Sequence, residues 1–226
     1  DILNGANIAE VEKTVIHRIG IHGQNLKYRA RGEVPGHILN RFSMDEHLEH
    51  FRVATTRGQV WSSGANAAVN MVCVLNMEMQ TIGKLDGIAP GEKIYSARFM
   101  GGRCYLVTYK KIDPFFVIDL KNPVDPSILG FLKIPGYSDY LHPYDEDYII
   151  GLGKDTIESG NPNFEWYQGV KLALFNVTDV TNPTEIDHVV IGDRGSDSLA
   201  LSDPHAFMFS REKNLLVIPI YLYDGN

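Results

Sequence analysis

The 226-residue chain is 44% hydrophobic and 22% charged, a globular composition with enough apolar material for a sizeable core. Its formal net charge of −7 and pI near 5.6 argue against a phosphate-binding surface, so nucleic acid is not an expected partner. No apolar run reaches the length of a membrane span, and Asp1–Glu10 lacks the basic and apolar regions of a signal peptide. The absence of an initial Met reads as a processed or excised piece.

Short runs rich in Val, Ile, Phe, Tyr and Leu, broken by polar or glycine turns, predict strands along the whole chain. Val11–Ile21 and Asn25–Gly32 come first. Ile38–Phe42 and Phe51–Ala54 follow, split by Met44–Glu49, and then Met71–Asn76 and Met79–Leu85. Gly101-Gly102 separates Ile94–Met100 from Cys104–Tyr109. Next comes the phrase Asp113–Pro123, a strand ending in Asp-x-x-Asn-Pro, with Ile128–Ile134 behind it. Tyr137–His142 and Tyr148–Leu152 lead to a second copy of that phrase, Leu172–Pro183, with Ile186–Ile191 behind it. Ala206–Phe209 and Leu215–Ile220 close the series.

Four strands per unit, repeated about every 50 residues, is the pattern of a β-propeller blade, whose sheet faces are buried only by stacked neighbours. The fold class is therefore all-β: a propeller sector of about four to five four-stranded blades, part of a larger ring. Blades are expected at 36–87, 94–136 and 137–192, with partial blades at 11–32 and 205–226. An open sector leaves edges that a further chain segment or self-association would complete.

Several stretches resemble secreted bacterial and archaeal proteins with a C-terminal β-propeller domain distantly related to WD-type repeats. They are Gly32–Gly36, Asn40–Glu46, Phe51–Thr56, Pro90–Gly101, Asp113–Leu120 and Ile134–Pro143. The resemblance implies a secreted or cell-surface propeller and members longer than this chain. It hands over no catalytic residue.

Among residues that could carry chemistry, Cys73 and Cys104 sit in apolar runs and read as buried thiols or as a disulfide. His47 and His50 fall in a hairpin turn, a solvated pair or a metal site. His142 and His205, each beside a proline, read as structural hydrogen-bonding groups or as site residues. Asp119 and Asp179 recur before Asn-Pro and are expected to cap turns. Arg98 lies on the first strand of its blade, where it pairs with Glu92 or Asp139 or else faces an anionic ligand. Asn176-Val177-Thr178 fits a glycosylation acceptor but lies within a repeat strand. No nucleophile elbow, phosphate loop or zinc helix is present, and no cofactor is implied.

Two insertions depart from the repeat, Arg57–Asn66 and Lys154–Gln168, both between the second and third strands of a blade. Blade geometry is expected to put Trp61, Phe164, Trp166 and Tyr167 on one face, as binding loops or as local plugs. The first reading is thus a non-enzymatic binding or scaffold module for protein or glycan. The alternative is a propeller hydrolase or lyase with a metal or carboxylate site at the channel mouth, and a third reading is a self-assembling wall.

Overall fold

The computed structural model describes residues 12–109, 113–158 and 165–225. Among the described residues sixteen strands form three four-stranded sheets and two two-stranded ones, and the only helical pieces are short 3-10 turns. No helix among them is long and apolar enough to cross a membrane.

The first hairpin pairs β1 (Lys13–His22) with β2 (Asn25–Pro35). Then come β3 (Met44–His47), β4 (His50–Arg57), β5 (Val69–Leu75) and β6 (Thr81–Ile88), paired in chain order. The second sheet holds β7 (Lys93–Met100), β8 (Arg103–Tyr109), β9 (Asp113–Asp119) and β10 (Ser127–Ile134). The third holds β11 (Tyr137–Pro143), β12 (Tyr148–Glu158), β13 (Glu165–Asn176) and β14 (Thr184–Ile191). A short hairpin of β15 (Met208–Ser210) and β16 (Leu215–Val217) ends the series. These open four-stranded sheets are the all-β propeller sector expected from the repeat.

The chain divides into two compact units. One comprises Asp1–Ile94, Phe99–Cys104 and Ile118–Ile128, and the other Tyr95–Arg98, Tyr105–Val117 and Leu129–Asn226. In the first, Val34, Val53, Met71, Cys73, Leu75 and Met79 form an apolar core. In the second, Phe115 stacks on Tyr105 and on Phe175 at 5.8 and 4.7 Å. Central strands such as β5 and β8 are buried almost end to end, because both of their faces are covered; this is why they read as continuous apolar runs. Cys73 and Cys104 are both buried thiols that form no disulfide, and burial pushes the Cys73 thiol up to about 11.

The fourth strand of a blade meets the turn of the next through a glycine. A Cβ on Gly32 would lie under 3 Å from the Met79 carbonyl, and one on Gly83 would run into that of Pro123. One on Gly130 would lie 2.5 and 2.6 Å from the carbonyl oxygens of Val180 and Thr181. In each case the nearest atom is a main-chain carbonyl oxygen, and each pair lies within a single unit. That β2 makes it, like β6 and β10, identifies β2 as a fourth strand. The corresponding residue of β14 is Asp187.

Three expectations are corrected. Ile38–Phe42 is not a strand: the Asn40 side chain accepts the Phe42 N–H at 2.9 Å and opens a 3-10 turn, so the first strand of that sheet is Met44–His47. The repeated turn also aligns three residues away from the Asn-Pro match. Asp119 corresponds to Asn176 and to Asn76, each accepting an N–H two residues on, while Asp179 corresponds to Asn122. Pro126 and Pro183 then both stand immediately before the fourth strand. Finally, Lys154–Gln168 is not simply a loop, because its described ends continue β12 and β13.

Candidate functional site

The pairing of β12 with β11 stops at Lys154, and β13 pairs with β14 only from Val170 onward. Beyond those points Thr156–Glu158 and Glu165–Tyr167 remain paired with each other alone, a two-stranded arm set off by a bulge between Lys154 and Thr156. Thr156 lies opposite Tyr167 and Ile157 opposite Trp166. Directly opposed residues share a face and consecutive ones do not. Trp166 and Tyr167 therefore point to opposite sides of the arm.

On one side Thr156 is buried and its hydroxyl accepts the Gly136 N–H at 2.9 Å. Tyr167 packs there against Tyr137 at 5.5 Å and Tyr109 at 6.4 Å, and Tyr95 meets both of those rings at 5.0–5.2 Å. The edge-to-face packing of these rings fills the space between them and fixes the base of the arm. Burial, and after it the nearby Asp139 and tyrosine hydroxyls, push the Tyr137 hydroxyl far above its ordinary range, so it stays a neutral phenol. Tyr167 is nonetheless 40% exposed, so the ring both packs on its neighbours and faces solvent.

The other side is also open to solvent. Ile157 is 53% exposed and Trp166 37% exposed, and the Arg194 guanidinium lies 4.0 Å from the centre of the indole. Phe164 lies outside the described residues.

Trp61 belongs to the other compact unit and stands at a turn of the Arg57–Asn66 insertion. That loop is tied by backbone bonds from Gln59 N to Asn66 O (2.9 Å), Ser62 N to Gln59 O (3.1 Å) and Ala68 N to Gln59 O (3.0 Å). The backbone is held while the indole is 83% exposed.

Tyr140 and His142 come together, within reach of the Arg98 charge. The Tyr140 hydroxyl lies 3.1 Å from His142 Nδ1, and Phe207 and Phe209 each flank the imidazole at 4.9 Å. Burial first, and the Arg98 charge second, hold His142 below the ordinary histidine range, so it is neutral at pH 7. His205 turns elsewhere: it is exposed, and its Nδ1 lies 2.8 Å from the Asp203 carboxylate that also accepts its own N–H. No group of three or more His, Cys, Asp or Glu among the described residues could hold a metal ion.

Arg194, Ile157 and the tyrosines at 95, 109 and 137 were not singled out from the sequence. The signal for two of them was present, since Tyr95-Ser96 and Tyr137-Ser138 open equivalent first strands and are joined by a bond from Ser96 Oγ to Ser138 O at 2.7 Å.

A family model described as a beta propeller domain matches residues 3–226. An uncharacterised protein of Methanocaldococcus jannaschii is 42% identical over 212 residues, 94% of this chain and 31% of the relative. An uncharacterised protein of Archaeoglobus fulgidus is 38% identical over 210 residues, 93% of this chain and 30% of the relative. The chain thus spans about three tenths of the length of these two curated relatives.

Proposed function

Because the chain belongs to the beta-propeller domain family, we propose that it is a non-enzymatic binding or scaffold module that meets a protein or glycan outside the cytoplasm. The observation that carries this reading is the Ile157 and Trp166 face of the β12–β13 arm. There Ile157 and Trp166 present an aliphatic chain and an indole on paired backbone, the Arg194 guanidinium lies over the ring, and on the other side the buried Thr156 ties the arm to Gly136. Large, rigid, amphipathic side chains on a fixed scaffold lose little conformational entropy on binding and recur at the centres of recognition surfaces. Trp61 offers a separate contact of the same kind on the other unit.

Intrinsic fluorescence reads this directly, since Trp61 and Trp166 are the only tryptophans. With Trp61→Phe the emission reports Trp166 alone. Titration with a panel of polysaccharides and surface glycoproteins is expected to shift or quench it saturably, and Arg194→Ala to weaken the effect about 5- to 10-fold. A panel that moves neither tryptophan would sink the reading.

The alternative, a hydrolase or lyase, draws on Arg98, Tyr140 and the neutral His142. It is favoured only if turnover of a glycan or ester substrate is lost in His142→Gln while ligand binding at Trp166 persists.

A further inference from the structure

The turn between β3 and β4 is Leu48-Glu49, and both residues have left-handed backbone, with φ of 50° and 60°. Neither is the glycine or asparagine that a two-residue hairpin of this kind favours. Such conformations cost of order 1 kcal/mol each and persist where surrounding structure holds them. What the turn secures is register: His47 lies opposite His50 and Asp45 opposite Arg52. Alternation along each strand then sets Asp45, His47, His50 and Arg52 on one face of the sheet.

Arg52 is the anchor of that face, with its side chain only 2% exposed. Its Nε and Nη2 donate to the two Asp45 oxygens at 2.7 and 2.6 Å, its Nη1 donates to the Gly101 carbonyl at 2.6 Å, and Phe99 lies 5.2 Å beneath it. The bidentate pair cancels the charge and fixes the guanidinium plane. Leu120, Lys121 and Pro123 stand opposite, and a cavity of about 70 Å³ lies between, lined also by His47, His50 and Val74. That is room for a small polyatomic ion.

We propose that this cavity binds a small oxyanion: phosphate, sulfate or a carboxylate, free or carried on a larger ligand. Every polar side chain around it except Asp45 can donate, and Asp45 is taken up by Arg52. Lys121 supplies the net positive charge, while the imidazoles supply N–H donors on converging strands. Lys121 disfavours a cation here, and no third carboxylate or imidazole completes a metal set among the described residues.

The test is an NMR titration of the histidine imidazole resonances with inorganic phosphate, sulfate and acetate, against sodium chloride at equal ionic strength. The oxyanions are expected to shift His47 and His50 saturably, with millimolar affinity, while chloride does not. His47→Ala, His50→Ala and Lys121→Met should each weaken binding at least 5-fold. Glu49→Gly, which relieves the turn and removes no donor, should leave binding intact and also shows that the hairpin still folds. Glucuronate and a sulfated monosaccharide form a second arm: tighter binding than the free ion places the group on a glycan, and equal binding means that the ion alone is the ligand. Identical shifts with chloride, unchanged binding in all three variants, or saturable zinc binding at His47 and His50 in place of the oxyanion would each overturn the proposal.

Discussion

Gly130→Ala tests whether neighbouring blades stack through bare backbone. The added methyl would sit 2.5 Å from the Val180 carbonyl oxygen, 2.6 Å from that of Thr181 and 2.7 Å from its carbonyl carbon. All three atoms are main chain in a turn held by Asp179, so none can rotate away as a side-chain end would. Overpacking of this kind costs about 1–3 kcal/mol, while the loss of glycine's freedom in the unfolded chain returns about 0.4–1 kcal/mol. The net expectation is a destabilisation of about 1–2 kcal/mol, seen in urea as a lower midpoint with an unchanged slope. Gly20→Ala is the internal control. Its methyl would meet the Arg29 guanidinium side chain, which can swing aside, so its midpoint should move by less than about 0.5 kcal/mol in equivalent energy. If Gly130→Ala matched the wild type or exceeded it, the close approach would carry no weight in stacking.

Other outcomes follow from the same structure. With its thiol pushed up to about 11, Cys73 should label with a disulfide reagent at pH 8 only as fast as the protein unfolds, measured by labelling with and without denaturant. His142 is held below its unfolded value of 6.5, so the unfolded chain takes up its proton first; stability is full above pH 6.5 and falls as the pH drops below it. Thermal melts from pH 7 to 5 should show that decline, and His142→Gln should flatten it. Lys171 donates to the Glu185 carboxylate and to the Pro135 carbonyl, both at 3.0 Å, with the two charged side chains 6% and 14% exposed. Lys171→Ala should cost about 3 kcal/mol by leaving Glu185 with only the exposed His188, at 2.7 Å, as a partner, and pairing Lys171→Met with Glu185→Leu should recover most of it in the same urea assay.

The blade repeat was legible because burial on both faces forces third strands such as Met71–Leu75 to be continuously apolar. Its finer alignment was not. Asp119 and Asn122 each close a turn two residues on, so two overlapping turns look alike in sequence and the prolines match equally well in the wrong frame. The arm was hidden for a different reason. Lys154-Asp155 and Gly160-Asn161-Pro162 advertise a loop, and the pairing of Ile157 with Trp166 depends on a bulge that no local pattern announces. Arg194 comes from a turn 28 positions further along the chain than Trp166, and only folding puts a guanidinium over that indole. His47 and His50 were visible as a pair, but the buried Arg52 behind them and Lys121 opposite were not.

The glycine contacts also bear on how such a protein can change. Met79, Pro123 and Val180 differ in side-chain size and shape, yet each presents a carbonyl to the glycine of the preceding fourth strand. Joints written in main-chain atoms place no demand on the vocabulary of the turns, so those turns can acquire new surface chemistry without disturbing how modules are joined. Asp187 is where that licence ends. It puts a carboxylate where Gly130 has only hydrogen, beside His188 and Val189 in an apolar groove of about 390 Å³. Anything laid over β14 must accommodate an acid, and β14 thereby differs in kind from β2, β6 and β10.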